Sequence, residues 1–554
     1  MMNITDLPQF TRNANRFKEI VWILGKYGFA YWIKDIFPGF IKGFFKSSEG
    51  ERISDMTFEA RIRKALSELG PTFIKLGQIL STRPDLVGPS LAQELTGLQS
   101  ATPADPPDAV RAVIEAELGK KIEELFAEFD EQAIASASIG QAHIARLHTG
   151  QAVVVKVQHR GIEKKIATDL DILAALADLG EKYDDQLRLY QPKAIVAEFS
   201  RILLRELDFR REERNLQRFS QNFTQDASIH IPVTFPELSS RRVLTMEKLE
   251  GFSIGDREKL KQEGIDTQEI AQRGANLFLD MIFRDRFYHA DPHPGNIWIL
   301  PDRHFGLLDC GMVGHVDDLT VEMLEGILLA AVEKDAEWIT DLVVRMGTLP
   351  RGFDRGALQN EISEFMADFV GQSLGEFDLT YALNGVTDII RRYRILLPKG
   401  IALLIKVLVM LEGTSRLLNR DFNLAELLEP YYKKAAQRRF TPEKILSKLR
   451  RSYRDWDRLI DLFPREAADI LQRMRDGRFD VQLEHHRLDT TVNRLVLGIL
   501  VAALILSSCM LVSRQIPPTL LGISIPGAAG ALLSIYLGYR LYRAIKRSGD
   551  LGDH

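Results

Sequence analysis

The sequence predicts a bilobal α+β protein, with one lobe built on a small sheet and the other helical. A helical extension precedes the two lobes and a pair of apolar helices follows them. Three observations predict this. Short period-2 runs at residues 134–160 and a strand from Arg241 read as a sheet region, while helical patterns fill most of the chain before and after them. A Pro-rich connector at 101–108, Ala-Thr-Pro-Ala-Asp-Pro-Pro-Asp, separates the first helices from the sheet region. The last sixty residues hold two long stretches almost free of charge. The expected divisions are 1–105, 106–255, 256–488 and 489–548, for extension, sheet lobe, helical lobe and paired spans.

The chemistry is concentrated between His289 and Gly311. The stretch reads His289-Ala-Asp291-Pro-His-Pro-Gly-Asn296, then Ile-Trp-Ile-Leu, then Leu307-Leu-Asp309-Cys-Gly311. An Asp, an Asn five positions on, a β-like apolar run and a later Asp-x-Gly reproduce the spacing of a protein-kinase catalytic loop and its metal-binding Asp. Asn296 and Asp309 offer the hard oxygens that Mg²⁺ takes between nucleotide phosphates and protein. Asp291 stands where a kinase holds the base that receives a hydroxyl proton. The competing reading is a polar turn made by Pro-x-Pro-Gly-Asn, but turns rarely carry both acids and the amide at these offsets.

At 554 residues, 45% apolar and 27% charged, the chain has ordinary globular composition and enough core for a two-lobed enzyme. Its net charge of −4 excludes nothing by itself, and no basic module for nucleic acid is read. Cys310 and Cys509 are too few and too far apart for a disulfide framework or a zinc site. The opening Met-Met-Asn-Ile-Thr-Asp-Leu-Pro lacks the pattern of a signal peptide.

In chain order, residues 17–46 are dense in aromatics and lysines. They suit either a bilayer interface or a helix packed on the body, and Pro38-Gly39 breaks any single helix there. A polar helix is expected over 51–69. It leads into Gly70-Pro-Thr-Phe-Ile-Lys75-Leu-Gly-Gln78, where Lys75 and Gln78 share a helical face among apolar neighbours. A lysine buried in such a setting needs a partner; the alternative is an ordinary surface lysine. After an acidic helix to about Phe129, residues 134–160 read as a hairpin. The small-residue loop Ala135-Ser136-Ala137-Ser138 stands where a kinase carries its Gly-rich phosphate cover, and Val153-Val-Val-Lys156 is a buried strand ending in lysine.

Helical residues 162–220 then offer three carboxylates, Glu206, Asp208 and Glu212, to orient that lysine. Asp208 and Glu212, four apart, are expected on one face. The strand at 241–247 runs into a Gly-ended linker; in a kinase that is where the lobes join and backbone, here near Glu247 and Leu249, meets adenine. Residues after 311 read as helical to about 480, including a buried core helix at Ile401–Leu411 interrupted by Lys406. The balance turns basic from Lys433 to Arg454. Leu495–Ser513 is long enough to cross a hydrocarbon core. A second span runs from Thr519 to about Tyr539, with Pro526 as a kink and Gly530, Ser534 and Gly538 as a close-packing face. Arg494 before the pair and Arg540, Arg543, Lys546 and Arg547 after it put both ends on the cytoplasmic side, or its organellar equivalent.

Taken together, Lys75-x-Gly-Gln78, the Ala135–Ser138 loop, Glu206-x-Asp208 with Glu212, and the His289–Asn296 and Asp309–Gly311 motifs resemble the UbiB family of atypical protein-kinase-like proteins. The likeness covers nearly the whole chain, and its length and terminal spans look like the bacterial ubiquinone-biosynthesis branch. The resemblance implies a protein-kinase-like fold with a C-terminal two-helix transmembrane hairpin, bound to the bacterial inner membrane. It implies that Lys156 holds the phosphates of ATP and pairs with Glu212, that Asn296 and Asp309 bind Mg²⁺, and that Asp291 is the catalytic-loop acid. The Ala135–Ser138 loop would cover the nucleotide. Lys75 would reach over the site toward Glu206 and Asp208, its helix filling the groove where a protein substrate would lie. Pro71 departs from some eukaryotic relatives, which place Gln there.

Three functions follow as expectations. The first is an ATPase or small-molecule kinase supporting ubiquinone (coenzyme Q) or other prenyl-quinone biosynthesis, with lipid precursors, membrane lipids, biosynthetic enzymes and a second copy of the chain as partners. The second is a protein kinase acting on a biosynthetic partner. The third is a non-catalytic nucleotide-binding scaffold.

Overall fold

Alternation along one strand positions the central lysine. In the main sheet, β1 (Glu128–Phe129), β2 (Ala135–Ser136), β3 (Gly140–Arg146) and β4 (Ala152–Gln158) are followed in sequence by β5 (Ile229–His230), which joins another sheet, and then by β6 (Val243–Glu247). The order is β1-β3-β4-β6, with β2 also on β3, and all these pairs are antiparallel. Val153, Val155 and Val157 of β4 are fully buried against Val110 and Ile114 of the helix Pro107–Leu118. Because side chains alternate across a strand, Val154 and Lys156 face the other way. Lys156 lies between Ala142 and Leu244 in the register.

The computed structural model describes residues 13–29, 56–98, 102–183, 191–350, 352–369, 377–439, 488–514, 516–520 and 523–547. A second sheet, of order β5-β10-β9-β7, contains β7 (Phe252–Ser253), while β8 (Phe287–His289) lies outside it. It is completed by β9 (Ile297–Ile299) and β10 (Phe305–Leu307). β11 (Val313–His315) pairs with β8. The catalytic-loop motif therefore spans the turn from β8 to β9, and Asp309 follows β10. One large core runs beneath these strands, from Phe199, Phe219 and Leu244 through Phe278, Phe287 and Ile297 to Val407 and Leu411. The expected buried helix is Lys399–Leu418, with Leu404, Val407, Leu408 and Leu411 inside.

The extension is a second, smaller core. Helices Ala14–Leu24, Phe58–Leu69 and Pro71–Leu80 pack on Ile172 and Leu179 of helix Ile162–Tyr183. Phe17, Ile20, Val21 and Tyr27 are buried, so the aromatic stretch at 17–29 packs on the body. The rest of that stretch, 30–46, falls outside the described residues, as does basic 440–454. Pro71 opens the third helix, where its missing N–H costs nothing. Gly77 lets that helix approach its neighbours, because a Cβ there would overlap Leu98 Cδ1 and press on Leu66 Cδ1. Arg16 Nε donates to Asp169 Oδ1 at 2.7 Å, and Nη2 donates to Leu69 O at 2.6 Å. Thr72 Oγ1 donates to the same Asp169, on Oδ2, at 2.6 Å. The first helix, the long helix and the start of the Lys75 helix thus meet at one buried carboxylate. Gly77→Val is expected to lower the thermal midpoint by several degrees, for about 1–3 kcal/mol of overpacking. Differential scanning fluorimetry checks it.

Two sequence expectations change in this part of the chain. The region 162–220 is three helices, ending with Pro192–Glu206 and Arg210–Asn222, and the chain breaks at 207–209. Asp208 and Glu212 therefore share no helical face. The acidic helix to Phe129 ends at Leu118, where Gly119 adopts a left-handed conformation, and a short turn of helix leads into β1.

The second unit, Ile445–His554, contains helices Leu488–Ser513 and Ile525–Arg547, packed on each other. A Cβ on Gly530 would overlap Ser508 Oγ, and one on Gly538 would touch Val501, as the close-packing face requires. Among the described residues one helix, Val496–Ser513, is long and apolar enough to cross a membrane. Pro526 does not kink the second helix. It lies in the first turn, and Thr519–Leu520 pairs with Ile523–Ser524 as two short strands.

Candidate active site

One helix ties the sheet lysine to the loop Asp309–Gly311. Glu212, in the first turn of Arg210–Asn222, accepts from Lys156 Nζ at 2.5 Å. Three residues on, Asn215 Nδ2 donates to Cys310 O at 2.9 Å. Lys156 is also 3.7 Å from Asp309 Oδ1. Burial pulls the Lys156 pKa down, but the carboxylates of Asp309 and Glu212 overcome it and hold the ammonium well above the ordinary lysine value. In turn Lys156, with a smaller contribution from Lys75, depresses the Asp309 pKa to about 2. The Asp309 side chain is 61% exposed, so it opens into the cleft. Its φ of 45° is left-handed, a conformation that non-glycine residues hold only under constraint.

His289 supplies the constraint. Its Nδ1 accepts the Asp291 N–H at 3.2 Å, so the proton is on Nε2. Nε2 donates to Asp309 O at 3.0 Å and Leu308 O at 3.3 Å. The fully buried ring thereby locks the catalytic loop to the strained residue. The sequence placed His289 in a motif but gave it no role, because the carbonyls its Nε2 reaches lie nineteen and twenty residues away.

Asn296 Nδ2 donates to Asp291 Oδ2 at 3.0 Å and to Asp291 O at 3.2 Å. With its amide nitrogen so engaged, the Oδ1 of Asn296 is its remaining donor atom for a metal. Among the described residues no group of three or more His, Cys, Asp or Glu side chains could hold a metal by itself. Asn296 and Asp309 fit a hard cation that fills its shell with phosphates and water, and that is how Mg²⁺ is usually bound.

Lys75 has the partner its setting demanded, with its Nζ 2.8 Å from Glu206 Oε2. Burial lowers its pKa, but Glu206 and, further off, Asp309 and Asp291 raise it to a net value above the ordinary one. Asp208 does not join this lysine. It lies in the break between helices and pairs with Arg210 at 2.8 Å. Gln78 also diverges from Lys75, donating to Leu98 O at 3.3 Å. The Ala135–Ser138 stretch, expected as a loop, begins as strand β2 (Ala135–Ser136) and then turns tightly, with the Ala137 N–H donating to Gly140 O at 2.8 Å. Ser138 is buried, and Ala135 and Ala137 are exposed. Gly140 is required here because a Cβ would strike Val157 O. The Glu247 carboxylate is committed to His230 Nε2 at 2.9 Å and the Val233 N–H at 3.1 Å. Leu249 is buried against Gly306.

The fold and this lysine–glutamate–aspartate arrangement define an atypical kinase-like protein. Residues 97–343 match the ABC1 atypical kinase-like domain, 362–423 the UbiB helical domain, and 482–547 the ABC1/UbiB kinase-like C-terminal domain. The chain is 32% identical to "Probable protein kinase UbiB" of Pseudomonas aeruginosa over 76% of its own length and 79% of that protein's. It is 31% identical to the protein of that name from Azotobacter vinelandii, over 84% and 86%. An "Uncharacterized protein in hydrogenase 1 5'region" of Clostridium pasteurianum is 30% identical over 97% and 99%. The chain belongs to the ABC1/UbiB family of atypical kinase-like proteins.

Proposed function

We propose that this protein is a membrane-anchored, Mg²⁺-dependent ATPase or small-molecule kinase that supports ubiquinone or related prenyl-quinone biosynthesis. The observation that carries the reading is the closed Lys156–Glu212 pair with Asp309 3.7 Å from the same ammonium. Lys156 would hold the nucleotide phosphates and Glu212 would fix its position. Asn296 and Asp309 would hold the Mg²⁺, which when bound neutralises charge on the phosphates. Asp291, steadied by Asn296 and by its N–H bond to His289, would take the proton of the attacking hydroxyl or water. The Ala135–Ser138 turn would cover the phosphates, and the backbone at Glu247 and Leu249 would meet the base.

The Lys75 helix favours a small acceptor over a protein one. Its lysine is clamped by Glu206 and feels the charges of Asp309 and Asp291, so it occupies the approach a polypeptide would need. The prenyl-quinone assignment draws on the relatives named UbiB and on the motif resemblance. The membrane assignment draws on Val496–Ser513 and on exposed apolar side chains such as Leu506 and Leu532. Arg540 and Arg543, toward the end of the second helix, favour a cytoplasmic face for the ends of the pair.

The test is ATP turnover by the purified full chain in anionic and neutral vesicles, with prenylated phenols and soluble proteins as acceptors. Mg²⁺-dependent phosphate release or lipid phosphorylation without phosphoprotein is expected. Stoichiometric phosphoprotein would instead establish the protein-kinase reading. No magnesium-dependent nucleotide affinity would remove the enzyme altogether.

A further inference from the structure

The three lysines near the cleft are not equivalent. Lys156 is closed on Glu212 at 2.5 Å and Lys75 on Glu206 at 2.8 Å. The third, Lys406, lies in the helix Lys399–Leu418, within electrostatic reach of both Asp291 and Lys75. Among the described residues it makes no ion pair within 4.0 Å and no hydrogen bond, and it is partly buried on a helix whose Leu403, Leu404, Val407 and Leu408 belong to the main core. Its helix runs along β8 and the loop that follows, with one contact to each. Tyr288 OH reaches Gly400 O at 3.5 Å, and Thr414 Oγ1 donates to Pro292 O at 3.0 Å, two turns beyond Lys406.

A desolvated ammonium without a counter-ion is costly, and folding alone gives no reason to keep one. The segment from Asp291 to Asn296 contains no permanent cation. Its His293 uses Nδ1 to accept the Gly295 N–H. Four carboxylates, Glu206, Glu212, Asp291 and Asp309, face the two paired lysines, and both of those are already committed. The site thus has a place beside Asp291 where the terminal phosphate of a nucleotide would arrive, and one cation still unpaired.

We propose that Lys406 is a phosphate-binding residue of the site, its ammonium contacting the terminal phosphoryl group of ATP beside Asp291. This rests on the nucleotide-binding reading above and adds to it a residue from outside the kinase-like motifs. Burial holds the Lys406 pKa below the ordinary lysine value even with Asp291 nearby, and an arriving polyanion would restore the charged form.

Equilibrium binding of Mg-ATP and Mg-ADP to the full chain in detergent tests it, comparing the wild type with Lys406→Met and Lys406→Arg. A charge-assisted contact to one phosphate predicts that Lys406→Met weakens Mg-ATP about 10- to 100-fold and Mg-ADP by no more than about 3-fold. Lys406→Arg is expected to recover most of the preference for ATP. Removing an unpaired cation should leave the thermal midpoint of Lys406→Met unchanged or raised. A folded Lys406→Met that keeps the wild-type ratio of ATP to ADP affinity overturns the proposal while the nucleotide reading stands. A wild type that binds neither nucleotide overturns both.

Discussion

Asp309→Asn is expected to cut Mg²⁺-dependent ATP turnover about 10³-fold, the scale of losing a group that places charge against a phosphoryl transition state. The substitution is conservative for the backbone, because Asn tolerates the left-handed φ of 45° better than most residues. The His289 bond goes to the main-chain oxygen and survives. What is lost is the carboxylate charge that Lys156 holds at a pKa of about 2. The same shift has a pH signature. A carboxyl whose folded pKa lies below its ordinary 3.8 contributes stability that is complete above that value and is lost as pH falls toward about 2. Acid unfolding followed by circular dichroism should therefore show a smaller loss across that window for Asp309→Asn than for the wild type. Turnover within tenfold of wild type would mean that Asp309 is not the metal ligand.

Lys75→Met is expected to destabilise the protein by about 3–5 kcal/mol, because Glu206, with 14% of its side chain exposed, would face Asp309 and Asp291 uncompensated. The double variant Lys75→Met/Glu206→Gln should regain most of that loss. A chemical-denaturation double-mutant cycle measures the coupling. Additive losses would mean that the pair is incidental and the helix is held by packing alone. Asp208→Asn serves as the contrast: its pairing with Arg210 is local and partly solvated, so an effect below about 1 kcal/mol is expected.

The separation of those two acids marks where the sequence stopped being legible. Asn296 and Asp309 could be read because their spacing is fixed by a short strand pair, and Lys156 because the valine alternation dictates its face. Lys156 and Glu212 are 56 positions apart, and only the family resemblance joined them. Asp208 was misplaced because Leu207-Asp-Phe209 contains no Pro or Gly, so nothing local announces that the helix stops there. Lys406 read as an interruption in an apolar helix, since its neighbours in space come from a loop more than a hundred residues upstream. Glu247 reads as part of a nucleotide-facing linker, yet its carboxylate turns to His230 because a strand end puts alternate side chains on opposite faces.

The carboxylate of Asp169 has a reach beyond its own helix. Arg16 and Thr72 both hang on it, so the chain's first described helix is mechanically continuous with the segment that carries Lys75. A tag, antibody or partner that tugs on residue 16 would pull a lever whose far arm ends at the Lys75–Glu206 pair.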